Sequence, residues 1–163
     1  MQKVIVIGCP GSGKSTFARA LQGKTGLPLY HLDMLFWNAD KTTVPKSEFL
    51  ARVDEVLARD AWILDGNFNS SMETRMAACD TVIFLDYPTD LCLAGVRERR
   101  GKPRLDMPWV ETEEDAEFTA YIKSFHELRR PNILALIEQY REGRKVLIFH
   151  TRAEADAFLH DFA

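Results

Sequence analysis

The stretch Gly8-Cys9-Pro10-Gly11-Ser12-Gly13-Lys14-Ser15 decides how the chain is read. It fits G-x-x-x-x-G-K-[ST], a pattern that a chain of this length matches by chance on the order of 1 time in 200. Glycines let the backbone curl so that successive N–H groups converge on phosphate oxygens, and a helix starting behind them adds its positive end. Lys14 is placed to bridge the outer phosphates of a nucleoside triphosphate, and Ser15 to offer its hydroxyl to Mg²⁺. Gly8, Pro10, Gly11, Ser12, Gly13 and Thr16 complete the candidate nucleotide-binding set. The context fits, because an all-apolar strand, residues 3–7 (KVIVI), leads in and a helix from about Lys14 to Leu21 leads out.

Outward from this loop, short β-branched runs alternate with longer helical patterns, the signature of a parallel sheet covered by helices. Residues 28–31 (PLYH) read as a second strand, and a helix follows from about Pro45 to Arg59, with Phe49, Leu50, Val53, Val56 and Leu57 on one face. Ala61–Asp65 (AWILD) and Thr81–Asp86 (TVIFLD) are the third and fourth strands, separated by a short helix for which Ser70-x-x-Glu73 has capping-box spacing. Thr89 or Asp90 can cap the next helix. Residues 101–112 (GKPRLDMPWVET) hold two prolines and no periodicity, and read as a surface loop. Helices over about 113–127 and 131–141, a fifth strand at 145–149 and a last helix opened by Thr151-x-x-Glu154 complete the chain. The expectation is a single α/β domain over residues 1–163, three layers around a five-stranded parallel sheet.

Composition narrows the function classes. A chain of 163 residues, 46% hydrophobic and 28% charged, is globular in composition and supports one core. A net charge of −3 speaks against a dedicated nucleic-acid coat. No apolar run approaches a membrane span, and the Val4–Ile7 run is too short for a signal peptide. The three cysteines, Cys9, Cys79 and Cys92, are odd in number and lack Cys-x-x-Cys spacing, so neither a disulfide scaffold nor a zinc site is expected and a reducing cytoplasm is the default. Cys79 and Cys92 read as small core residues, and no thiol chemistry is expected of Cys9. His31, His126, His150 and His160 show no metal spacing.

A triphosphate site of this type needs an acid for magnesium at the end of a neighbouring hydrophobic strand. AWILD ends at Asp65 and VIFLD at Asp86, and the residues alone leave both open.

The order strand, phosphate loop, helix, short strand with an acid, then Trp62-Ile63-Leu64-Asp65-Gly66 and Ile83-Phe84-Leu85-Asp86-Tyr87-Pro88 resembles the nucleoside monophosphate kinase branch of P-loop NTPases, adenylate kinases in particular. His31-Leu32-Asp33-Met34-Leu35-Phe36-Trp37 and Trp62–Phe68 are similar, more specifically, to the FlaR-related "DNA topology modulation" proteins, as are Arg130-Pro131 and the segment ending at Arg152. The resemblance implies an adenylate-kinase-like fold with a shortened lid near 101–112. Its strand order, with the third strand beside the P-loop strand, favours Asp65 over Asp86 as the magnesium acid. It also puts Asp33 at an acceptor site, where it can orient or deprotonate a hydroxyl; a helix-capping or solvated aspartate is the plainer reading.

Two departures matter. Phe36 and Asn69 stand where adenylate kinases carry arginines that grip an acceptor phosphate, so an ordinary mononucleotide acceptor is less expected. Arg75 is a candidate replacement, and Phe36 and Trp37 a candidate aromatic wall, with the acceptor between Asp33, Trp37 and Asn67.

The segment Arg97-Glu98-Arg99-Arg100-Gly101-Lys102-Pro103-Arg104 falls where such kinases begin the lid over ATP. Arginines there neutralise charge on the transferring phosphoryl group. Arg99 and Arg100, with Arg129 and Arg130 from the returning helix, are the candidates. The branch's partner position for Arg99 is Gly95, with Arg97 a possible substitute, and Arg152 is a candidate to stack on the base. A solvated helix face, charge balance against the acidic stretch 111–117 and nucleic-acid contact are the competing readings. The expected activity is an ATP- and Mg²⁺-dependent phosphotransferase with a small-molecule acceptor; an ATP-hydrolysing regulatory protein acting through a partner or DNA, and a true nucleoside monophosphate kinase, are the alternatives.

Overall fold

Val4, Ile5, Val6 and Ile7 are fully buried and form the centre of the sheet. In the computed structural model, which describes residues 1–162, they lie in β1 (Lys3–Gly8); Ala163, the last residue of the expected domain, lies outside the described residues. The other strands are β2 (Leu29–His31), β3 (Trp62–Asp65), β4 (Thr81–Leu85) and β5 (Lys145–Phe149). They run parallel in the order β2-β3-β1-β4-β5. β1, β3 and β4 bury both faces, which is why their sequences are continuous apolar runs rather than alternating ones.

The chain crosses to β2 and β3 on one side of β1 and then to β4 and β5 on the other. That reversal opens a crevice at the carboxyl ends of β1, β3 and β4, the usual position for a ligand in an open α/β sheet. Eight helices are present among the described residues: α1 (Lys14–Thr25), α2 (Leu32–Phe36), α3 (Lys46–Leu57), α4 (Asn69–Ala78), α5 (Thr89–Arg99), α6 (Ala116–Leu128), α7 (Arg130–Tyr140) and α8 (Arg152–Asp161). No helix among them is long and apolar enough to cross a membrane. Cys9, Cys79 and Cys92 are free and buried.

Several local expectations are corrected. α2 is an added five-residue helix directly after β2. The Ser70/Glu73 capping box does not form: the cap position lies two residues earlier, at Phe68 in a left-handed conformation (φ 34°), and α4 starts at Asn69 without a side-chain cap. Neither Thr89 nor Asp90 caps α5, whose cap position is Pro88. The loop before α6 extends to Asp115, whose side chain caps α6 by accepting from the Glu117 and Phe118 amides. The Thr151/Glu154 capping box is fully formed at α8.

Candidate active site

The loop 8–13 leaves β1, crosses the crevice and enters α1. Ser12 N–H donates to the Cys9 carbonyl at 3.0 Å, which tightens the curl. Gly11 (φ 85°) packs flat against α5: a Cβ there would collide with the Cys92 carbonyl, and one at Gly95 with the Gly11 carbonyl. The absence of a lid arginine at position 95 therefore has a steric cause, since α5 closes directly on the phosphate loop.

A cleft of about 960 Å³ lies above the strand ends, lined on its loop side by Pro10, Gly11, Gly13, Lys14 and Ser15. Lys14 Nζ reaches the Cys9 carbonyl at 3.4 Å. Burial holds the Lys14 ammonium below its ordinary pKa, Asp65 and Asp33 oppose that shift, and Arg99 adds to it. Arg99 and Arg100 line the same cleft. A smaller cavity of about 400 Å³ on the outer side of the loop includes Thr16, Arg99, Arg104 and Arg152. Arg97 is exposed and lines neither cavity.

Asp65 ends β3 opposite His31, its register partner on β2. His31 Nδ1 meets Asp65 Oδ2 at 2.6 Å, and Asp65 faces the cleft. Asp86 has a different surrounding: Arg130 Nε donates to both of its oxygens at 2.9 and 3.0 Å, Nη2 adds a bond at 2.8 Å, and His150 Nδ1 lies 3.5 Å away. Arg130 is thus engaged with Asp86 and does not line the cleft, whereas its neighbour Arg129 does.

Asp33, on α2, lines the same cleft as Lys14. Its carboxyl is pushed up to about 6, first by burial and then by Asp106 and Asp65, against the lowering pull of Lys14 and Arg104. Phe36 and Trp37 line the same wall and pack edge to face at 5.4 Å between ring centroids. Asn67 also lines it, but its side chain is engaged: Nδ2 donates to the Gly8 carbonyl at 2.6 Å, and its Oδ1 accepts from the Gly8 amide at 3.2 Å. It ties the end of β3 to the base of the phosphate loop.

Arg75 requires a correction. It is fully buried beneath this wall, not facing the cleft. Its guanidinium donates to the Gly66 carbonyl at 3.0 Å, the Phe68 carbonyl at 3.2 Å and the Asn67 carbonyl, while Nε donates to Ser71 Oγ at 3.0 Å. Burial lowers it to about 9. It holds the left-handed turn at Phe68 in place instead of reaching for an acceptor.

The charge balance between the arginine segment and the acidic stretch is present at Glu111, while the part played by Trp109 was not foreseen. Arg104 and Arg99 share Glu111, at 3.1 and 3.4 Å, and Arg104 Nε lies 3.8 Å from Asp106 Oδ1. This network folds residues 100–115 over the cleft and sets Trp109 edge to face with Trp37, centroids 5.4 Å apart, beneath the Lys41 ammonium. Nothing periodic marks Trp109 in the sequence. His31 had one readable signal: it and Asp65 both end short strands.

The architecture is matched by solved structures. A shikimate kinase from Acinetobacter baumannii, in complex with shikimate, aligns over 98% of this chain and 90% of its own, with a TM-score of 0.62 and 19% identity. A shikimate kinase from Bacteroides thetaiotaomicron aligns over 96% and 93%, with a TM-score of 0.58 and 17% identity. No family model and no curated protein matches the chain. At these identities the likeness is one of fold: α/β with a five-stranded parallel sheet and eight helices, the adenylate-kinase-like P-loop fold of shikimate kinase.

Proposed function

We propose that the chain is an ATP- and Mg²⁺-dependent phosphotransferase acting on a hydroxyl of a small molecule. The observation that supports this reading is that Lys14, at the head of the glycine-rich loop, and Asp33, on α2, line one cleft together with Ser15, Asp65, Arg99 and Arg100. The loop amides and Lys14 hold the ATP phosphates, and Arg99 and Arg100 stand over the transferring group. Asp33 accepts the proton as the acceptor oxygen bonds to the γ-phosphorus, the bond from that phosphorus to the β–γ bridging oxygen breaks, and ADP leaves. With a pKa of about 6, Asp33 is mostly ionised at neutral pH and remains basic enough to take a proton.

Ser15 Oγ and the Asp65 carboxylate are hard oxygen donors on the same cleft, a set that suits Mg²⁺ completed by phosphate oxygens and waters. Magnesium supplies charge neutralisation at the β- and γ-phosphates. His31 fixes the orientation of the Asp65 carboxylate. Arg152 lines the outer cavity together with Thr16, which supports assigning it to the nucleoside end of ATP. A cytoplasmic setting rests on the cysteine pattern, and the topology-modulation resemblance rests on the His31–Trp37 and Trp62–Phe68 blocks, with no support from the solved structures.

ATP labelled at the γ-phosphate, incubated with small-molecule pools, tests the reading. Label moving onto a small molecule, and lost with Lys14→Ala, is the expected result. Label released only as free phosphate supports the regulatory ATPase, and DNA affinity falling steeply with salt supports a nucleic-acid role for that protein. Saturable turnover of AMP, CMP or dTMP marks a nucleoside monophosphate kinase.

A further inference from the structure

Resting on the phosphotransferase reading, we propose that Glu111 is a positioning residue for the transfer step: its carboxylate holds Arg99 over the phosphoryl group being transferred, and it acts through Arg99, not on a substrate.

Among the described residues, Arg99 is the one basic side chain that lines both the main cleft and the outer cavity. The other cations of the cleft, Lys14, Lys41, Arg100 and Arg129, do not line the outer cavity. Gly11, Gly13 and Ser15 of the glycine-rich loop line both spaces as well, so Arg99 stands over the part of the loop that receives the outer phosphates under this reading. In the transfer, the acceptor oxygen bonds to the γ-phosphorus, Asp33 takes its proton, the bond to the β–γ bridging oxygen breaks and ADP leaves. Negative charge is spread over the equatorial oxygens of the phosphoryl group at that moment. A guanidinium already aimed there stabilises it without reorganisation, and one that must first be recruited does so less well.

A long side chain with many rotamers does not keep such an aim unaided. Glu111 Oε1 accepts from Arg99 Nη2 at 3.4 Å and from Arg104 Nη2 at 3.1 Å, so one carboxylate oxygen sits between two guanidinium groups. Glu111 is itself fixed by its backbone. Its carbonyl accepts from the Gly101 amide at 2.5 Å, with Gly101 in the left-handed region (φ 77°), and this bond closes the base of the lid. Two residues before Glu111, Trp109 rests on Trp37 and closes the tip. Burial and the neighbouring Arg104 push the Arg99 guanidinium below its ordinary pKa; Glu111 opposes them most, ahead of Asp106 and Asp33. Arg104 has a second carboxylate, Asp106, at 3.8 Å. Arg99 makes no hydrogen bond among the described residues except the one to Glu111, which leaves donors for phosphoryl oxygens.

The test is calorimetry on the full-length protein with Mg²⁺. It compares the non-hydrolysable imido analogue of ATP, a ground-state mimic, with ADP plus aluminium fluoride, which mimics the phosphoryl group during transfer. Glu111→Gln is expected to bind the imido analogue within about twofold of wild type and ADP–aluminium fluoride about 10–100-fold more weakly. Glu111→Asp, which keeps the charge, is expected to recover part of that loss. Added to Arg99→Ala, Glu111→Gln is expected to cost no more than about twofold further, because it acts through the group already removed. Equal weakening of both ligands, tighter binding of the imido analogue, or a further loss of about tenfold on the Arg99→Ala background overturns the proposal. A wild-type protein that takes up the imido analogue but not ADP–aluminium fluoride overturns it too. Failure of the wild-type protein to take up the imido analogue contradicts the phosphotransferase reading itself, so the two failures are distinct.

Discussion

Asp65 ends β3 and Asp86 directly follows β4, in segments that read almost alike, AWILD and VIFLD, on either side of β1, and they are similarly buried at 5% and 6% exposure. Their surroundings differ. Asp65 meets a single imidazole and opens to the cleft. Asp86 is taken by a bidentate guanidinium from α7 and approached by His150 beyond β5. The role of a strand-end carboxylate is therefore set by the elements that fold against it. On the β2 side the neighbours leave it facing the cleft; on the β5 side they use it to dock α7 onto the sheet.

A third aspartate, on the cleft's far wall, gives the largest effect. Asp33→Asn is expected to lower kcat by about 10²–10⁴-fold, the usual share of a general base. In the unmodified protein kcat/KM, which reports the free enzyme's groups, should fall as pH drops through about 6. The same substitution should stabilise the fold. An acid whose pKa is raised on folding binds its proton more tightly in the native state. The cost of ionising it is fully present above about 6 and disappears as pH falls toward the unfolded value of 3.8. Denaturant melts at pH 7.5 are expected to show a gain of about 1–2 kcal/mol, discounted for partial exposure, that shrinks across that window.

Arg75→Ala removes the group that ties down three carbonyls beyond Asp65, an anchor that the Asp86 side lacks. A loss of about 3–5 kcal/mol of stability is expected in urea unfolding. Asp65→Asn should leave the fold intact and lower ATP turnover about 10–100-fold. Asp86→Asn should do the reverse, with turnover within about threefold of wild type and stability down about 1–2 kcal/mol, because only one partner of a partly exposed pair is lost.

The contrast between the two aspartates also explains what could be read from the sequence. The glycine-rich loop between a strand and a helix, the strand runs and the Thr151 capping box are local patterns, set by residues a few positions apart, and the structure contains them. The difference between Asp65 and Asp86 arises from Arg130, 44 positions from Asp86, and from His31, 34 positions from Asp65. Asn67 was legible as a cleft residue, but its bonds to Gly8 span 59 positions. Arg75 carried the charge expected of an anion receptor, yet the left-handed turn at Phe68 left nearby carbonyls that its guanidinium satisfies. The same turn displaced the start of α4 and cancelled the Ser70 cap. Trp109 lies in an aperiodic loop, and only the Arg99–Arg104–Glu111 network folds it over Trp37.

The most direct test titrates ATP, with and without Mg²⁺, into wild type, Asp65→Asn and Asp86→Asn. The account expects Mg²⁺ to strengthen ATP binding in wild type and Asp86→Asn but not in Asp65→Asn. Loss of the magnesium effect in Asp86→Asn with its retention in Asp65→Asn, or no ATP binding by the wild-type protein, would contradict it.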